Sequence, residues 1–187
     1  MPKAVQQEWF DKPVLELAPA LIGARVFVEG VGGMIVEVEA YARHDPAAHS
    51  FAGKTPRNAS MFGPSGRAYV YRSYGIHWCM NFVAQEEGAG VLIRAIAPER
   101  GLEQMAERRG TDDMKLLCSG PGKLTQAMGV TGAHDGVPLF RKPFAVFAAQ
   151  EKVAIVTGPR IGISRALDLP WRFGLKGSAF LSKPFPK

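Results

Sequence analysis

The stretch Ile35-Val36-Glu37-Val38-Glu39-Ala40-Tyr41 holds the residues with most chemical potential in the chain. Its two-residue period predicts a β-strand with Glu37, Glu39 and Tyr41 on one face and Val36, Val38 and Ala40 on the other. Two carboxylates on one face are costly to bury, and on an isolated strand such a face is ordinarily solvated. Tyr41, however, leads into a loop bearing His44 and His49, which favours a site over a plain solvated edge. The two glutamates should have Cα atoms about 6.6 Å apart, twice the rise per residue. That spacing invites comparison with the acid and base of a glycosidase, but those carboxyls flank a bond. Same-face neighbours on one strand point in parallel, which argues against the scheme.

A second group of residues lies further on. Ala68 to Arg72 and Ile76 to Val83 read as a hairpin turning at Ser73-Tyr74-Gly75. A large aromatic at an exposed tip either caps a neighbouring loop or serves as a wedge that fills the gap left by an extruded nucleotide. Tyr69 and Tyr71 share a strand face; such residues are commonly core, yet one of them could wall a pocket for a planar base. Arg94 ends the apolar run Val91-Leu92-Ile93 and must be paired or face a cavity. Asn81, in an apolar strand, needs hydrogen-bond partners. Ser119-Gly120-Pro121-Gly122-Lys123 is a glycine-bearing helix start that could hold a phosphate. Its glycine spacing is not that of a nucleotide-hydrolysing loop.

The elements that must position these residues form an α+β pattern: a single domain with a curved, mostly antiparallel sheet, flanking helices and a protruding hairpin. Helices are expected over Pro13–Leu21, Gly101–Arg109 (with Leu102, Met105 and Ala106 on one side) and from Ser119 through Met128. Strands 24–28 and 34–41 are expected to pair across a turn at Gly30-Val31-Gly32-Gly33. Further strands are expected at 91–96, 145–147 and 153–156. The loop from Ala42 to Arg67 is long for a small domain, as functional loops are. The 187 residues suit one core, with 47% hydrophobic and 21% charged side chains. The net charge of +6 fits attraction to a polyanion, and equally fits a merely soluble basic enzyme. Cys79 and Cys118 are far apart in apolar surroundings, so inert buried thiols are expected, with no disulfide and no zinc site. The polar start of the chain and the lack of a long apolar run point to an intracellular protein without a membrane anchor.

Taken in order, Val36-Glu37-Val38-Glu39-Ala40-Tyr41, Ala48-His49-Ser50, Thr55-Pro56-Arg57-Asn58, Met61-Phe62, Tyr69-Val70-Tyr71, Tyr74-Gly75, Cys79-Met80-Asn81, Val91-Leu92-Ile93-Arg94-Ala95 and Leu117-Cys118-Ser119-Gly120-Pro121 resemble the 3-methyladenine DNA glycosylase family of the alkyladenine type. The match runs from about Gly23 to Val130, with weaker similarity at Gly158–Gly162 and Trp171–Phe173. The resemblance implies a monofunctional glycosylase that flips alkylated or deaminated purines from duplex DNA and hydrolyses the N-glycosidic bond. It implies Glu39 as general base, and Tyr41, His49 and Tyr71 as walls of the base pocket. It further implies Tyr74 as the intercalating wedge, Asn81 as the group that crowds the 2-amino group of guanine, and Arg94 as an aid in placing water and a phosphate. Glu37 reads as support for the strand or the pocket rim. No cofactor and no metal are implied. The expected partner is damaged double-stranded DNA, bound by a monomer, with an abasic-site endonuclease acting downstream.

His77 departs from the pattern, standing where related proteins often carry tyrosine. Thr55, Arg57 and Lys123 are the candidates for phosphate contacts, with Arg67 and Arg72 flanking the hairpin. Two rival readings remain: a non-catalytic nucleic-acid-binding module of related fold, which has no use for Glu39, and a hydrolase of small N-glycosides, which leaves Tyr74 idle.

Overall fold

The computed structural model describes residues 3–186. Among the described residues, four α-helices pack on an eight-stranded, wholly antiparallel sheet: α1 (Val14–Leu21), α2 (Leu102–Arg109), α3 (Met114–Leu117) and α4 (Pro121–Met128). The strands are β1 (Arg25–Val28), β2 (Val31–Tyr41), β3 (Ala68–Ser73), β4 (His77–Val83), β5 (Gly90–Arg100), β6 (Phe144–Phe147), β7 (Ile155–Gly158) and β8 (Arg172–Leu175). Their principal order is β3-β4-β5-β2-β1-β6. Long β2 shares one edge between β1 at its start and β8 further on, and β7 pairs with β8.

Apolar side chains from α1, α4 and the inner face of the sheet, among them Leu17, Leu21, Phe82, Ile93, Ile96 and Leu124, make the main core. α1 lies on β2, while α4 lies on β4 and β5. Each of these helices buries one stripe, which is the stabilising contribution that such short helices cannot supply alone. On α2 that stripe is narrower than expected: Met105 is buried, but Leu102 is exposed.

The first hairpin turns earlier than its glycines indicate. Glu29 and Gly30 form the tight turn, both with positive φ, and Gly32 and Gly33 belong to β2. They are needed there for closeness of approach. A Cβ on Gly32 would lie 2.0 Å from the Val26 carbonyl oxygen, and one on Gly33 2.0 Å from that of Ala97. Glycine inside a strand often marks such a close approach of another backbone.

Strict alternation along β2 also breaks. Ile35 pairs with Ile96, Glu37 with Ala95, and Val38 with Ile93, so Val36 bulges from β2 and Arg94 from β5. Ile35, Val38 and Ala40 enter the main core, whereas Val36 is buried outside it. A paired irregularity of this kind re-aims side chains locally. Here it turns Glu37 and Arg94 towards each other. The strands expected near residues 145 and 153 are present with slightly shifted ends, and β8 and α3 are additional. No helix among the described residues is long and apolar enough to cross a membrane.

Candidate active site

A cleft of about 720 Å³ opens between the β3–β4 hairpin, the loop after β2 and the loop after β7. One wall is aromatic. The His49 ring meets Tyr71 edge-on, 4.4 Å between centroids, and Tyr69 stacks on Tyr71 at 5.4 Å and 25°. His49 Nδ1 and the Tyr69 hydroxyl share a hydrogen bond of 3.1 Å. Both tyrosines therefore line the cleft, Tyr69 as the buried support of Tyr71. Burial pushes the Tyr69 phenol up to about 12. Partial withdrawal from water, followed by the charge of Arg57, holds His49 below the ordinary imidazole value. It is thus neutral at pH 7.

Tyr41 lines the cleft from the end of β2. Its hydroxyl donates to Glu39 Oε2 at 2.7 Å. Burial first, then the neighbouring Glu39 charge, raise this phenol far above its ordinary value, so it remains a donor. Against its ring lies Arg160, whose guanidinium carbon is 4.7 Å from the Tyr41 centroid and 5.3 Å from that of Trp171. Arg160 forms a fully buried ion pair with Asp45 and donates to the Ala40 carbonyl at 2.9 Å. Asp45 in turn accepts from the Ala47 amide at 2.9 Å, fixing the loop that carries His49.

The face bearing the two glutamates is not solvated. Glu37 and Glu39 are both completely buried. What makes this affordable is the donor set around them. Glu39 Oε1 accepts from the Ile161 amide at 2.7 Å and lies 3.4 Å from Arg94 Nη1. Glu37 Oε1 accepts from Arg94 Nε at 3.0 Å and from the Ser182 hydroxyl at 2.8 Å, and Oε2 from the Ser182 amide at 2.6 Å. Arg172 approaches Glu37 at 3.9 Å, giving two buried carboxylates beside two buried guanidinium groups. Glu39 thus sits just beneath the cleft, under Tyr41, Arg94 and Ile161, which do line it.

Asn81 lies opposite on β4, lining the cleft and donating to the Tyr69 carbonyl at 3.2 Å. Tyr74 stands at the hairpin tip and is 90% exposed, the most open large apolar residue among those described. Tyr74 and Gly75 both have positive φ, and Tyr74 pays steric strain for that position. The remaining candidates are spread around the rim. Arg57 is exposed, lines the cleft and donates to the Arg72 carbonyl at 2.7 Å. Thr55 is exposed and caps the Asn58 amide, while Lys123 is exposed on α4 away from the cleft lining. Arg67 is engaged with the Gly136 carbonyl, and Arg72 lies over Trp78.

Sequence reasoning gave no role to Arg160 or Ile161, although both lie in the weakly similar stretch Gly158–Gly162, and missed Asp45 and Ser182 altogether. Their contacts each span more than a hundred positions, and no local pattern marks such a contact. Cys79 and Cys118 are free and buried, the former against the cleft; burial raises both thiols, Cys118 to about 12.

The methylpurine-DNA glycosylase family model matches residues 8–179. A protein of Rhodopseudomonas palustris (strain HaA2) is 61% identical over 97% of this chain and 91% of its own. One from Bradyrhizobium diazoefficiens is 58% identical over 99% and 94%, and one from Agrobacterium fabrum 60% identical over 97% and 93%. All three carry the provisional name 3-methyladenine DNA glycosylase. With the family model spanning almost the whole chain and relatives this similar, the chain belongs to the methylpurine-DNA glycosylase family.

Proposed function

We propose that this protein is a 3-methyladenine DNA glycosylase that takes a damaged purine out of duplex DNA into the aromatic cleft and hydrolyses its N-glycosidic bond. The observation that carries the reading is the placement of Glu39: a buried carboxylate, oriented by Tyr41, Ile161 and Arg94, directly beneath an aromatic cleft. A surface that only binds nucleic acid has no use for that arrangement.

In this reading Tyr41 covers one face of the extruded base, and His49 and Tyr71 the other. Tyr74 fills the vacated place in the stack. Glu39 takes a proton from water as the water oxygen bonds to C1′ of the sugar. The electron pair of the breaking C1′–N bond leaves with the base. A 3-methyladenine or 7-methylguanine base is already cationic and departs neutral without a proton from the protein. The anionic Glu39 also offsets positive charge developing on the sugar. Neutral His49 suits this substrate, because an imidazolium stacked on a cationic base would repel it. Asn81 crowds the position of the guanine 2-amino group. Arg94 helps hold the water and a phosphate, and Thr55, Arg57 and Lys123 contact the backbone. Among the described residues no lysine lines the cleft, which supports simple hydrolysis without a Schiff base or strand cleavage. The remaining expectations, an intracellular monomer whose abasic product passes to an endonuclease, belong to the same proposal.

The decisive experiment is base release from methylated, hypoxanthine- and ethenoadenine-containing duplexes, with alkali revealing abasic sites and Glu39→Gln alongside. A general base of this kind contributes roughly 10²- to 10⁴-fold, so the variant should lose turnover on that scale and keep DNA affinity. If the wild type releases nothing and both proteins bind DNA equally, the chain is a binding module. Release from free nucleosides would point to small N-glycosides instead.

A further inference from the structure

Glu37 is fully buried, yet its carboxylate lies outside the cleft lining and both its oxygens are taken up by donors. The donors of Glu39, which are Tyr41, Arg94 and Ile161, all line the cleft, whereas Glu37 is held largely by Ser182, which does not. The partners of Glu37 are informative: Arg94 from β5, and both the amide and hydroxyl of Ser182 from the segment after β8. Arg94 Nη2 also donates to the Ser182 hydroxyl at 3.3 Å, so two of its three nitrogens face this pair while Nη1 faces Glu39. The bulge at Arg94 is what lets the side chain reach all three groups.

The segment carrying Ser182 is itself seated. The Phe185 ring lies 3.7 Å under the Arg172 guanidinium, in a notch left by two glycines. A Cβ on Gly174 would meet Phe185 at 2.4 Å, and one on Gly158 at 3.0 Å. Arg172 donates to the Lys183 and Pro184 carbonyls at 3.3 and 3.0 Å. Residues 182–185 are therefore keyed into β7 and β8 directly beneath the site.

We propose that Glu37 and Ser182 are positioning residues that set the Arg94 guanidinium, and through it Glu39, making the segment after β8 part of the active site. This rests on the reading of Glu39 and Arg94 as the hydrolytic pair. The guanidinium has five donors in a rigid plane, so fixing Nε and Nη2 determines where Nη1 points. Without Glu37 and Ser182, Arg94 can rotate towards the cleft and leave Glu39 unoriented.

The test is single-turnover base release from methylated duplex DNA by the full chain. Glu37→Gln and Ser182→Ala are each expected to slow release by roughly 10- to 100-fold, the worth of a hydrogen bond to a charged group. Affinity for a duplex containing an abasic-site analogue should change little, and Ser182→Thr, which keeps the hydroxyl, should recover most of the rate. In an Arg94→Gln background, Glu37→Gln should cost nothing further, since its effect passes through Arg94. Multiplicative losses in that double variant, or a Glu37→Gln protein with the wild-type rate, would overturn the proposal. Should Glu37→Gln fail to fold, Phe185→Ala decides: it unseats Ser182 without removing any charged group and should slow release without weakening binding. A wild-type rate in Phe185→Ala then counts against the proposal. Failure of the underlying reading looks different, because Glu39→Gln would then release base as fast as the wild type.

Discussion

At the residue scale the site works by holding charges where water cannot screen them. Glu39 is oriented by a phenol, an amide and a guanidinium, and its surroundings fix both geometry and charge balance. His49 is held neutral by partial burial and by Arg57. Its folded pKa is lowered, so it stays neutral until the pH falls below the ordinary imidazole value near 6.5. Release of a cationic methylated base should therefore decline as the pH drops through that depressed titration. His49→Gln should flatten this acid limb in single-turnover measurements from pH 5 to 8. An acid limb unchanged in His49→Gln would assign it to another group. Tyr74 offers a different test. Its positive φ is strained in the free protein, so Tyr74→Gly should leave the Tm unchanged or higher while binding to lesion-bearing duplex weakens. Equal binding, read by fluorescence anisotropy, would remove Tyr74 as the wedge.

At the scale of elements, β2 and its neighbours do the positioning. The bulges at Val36 and Arg94 reset the alternation, so that Val38 and Ala40 face the core while Glu37, Glu39 and Tyr41 face the site on the same strand. Gly33 lets β2 pass close to β5, and Gly33→Ala would push a methyl into the Ala97 carbonyl. The expected cost is roughly 1–3 kcal/mol, at the upper end because the obstruction is backbone. Urea unfolding would show it as a lowered midpoint with unchanged slope. Removing one partner of the buried Asp45–Arg160 pair should cost more. Asp45→Ala strands a guanidinium between Tyr41 and Trp171, and about 3–5 kcal/mol is the expected loss. A loss below about 1 kcal/mol in the same assay would mean that Arg160 finds other partners.

At the scale of the whole molecule, the proposed function assigns attraction to DNA to the net charge of +6 and the exposed rim cations. Arg57 combines exposure with a place on the cleft and is the best rim candidate. Arg57→Ala should flatten the log–log salt dependence of duplex binding by roughly one unit. Lys123→Ala makes the informative comparison, since Lys123 stands away from the cleft lining. An unchanged slope in either variant removes that residue from the footprint.

Much of this was legible in the chain itself. Alternation put Glu37, Glu39 and Tyr41 on one strand face, and the Tyr74-Gly75 pair announced an exposed aromatic tip, because both patterns are local and follow from backbone geometry. The α+β class, the antiparallel hairpins and the family likewise lay in the order of motifs along the sequence. What only the tertiary structure decided is which of those groups are buried and by whom they are held. The glutamate-bearing strand alone reads as solvated, and only its continuation into the histidine-bearing loop points to a site. What buries the face is Arg94, Ile161 and Ser182, which arrive from distant parts of the chain to offset the loss of water. Gly32 and Gly33 read as a turn until the approach of Val26 and Ala97 shows that the strand needs them. Local sequence encodes periodicity and turn chemistry, but desolvation and its compensation are sums over neighbours in space. Those sums exist only once the chain has closed on itself.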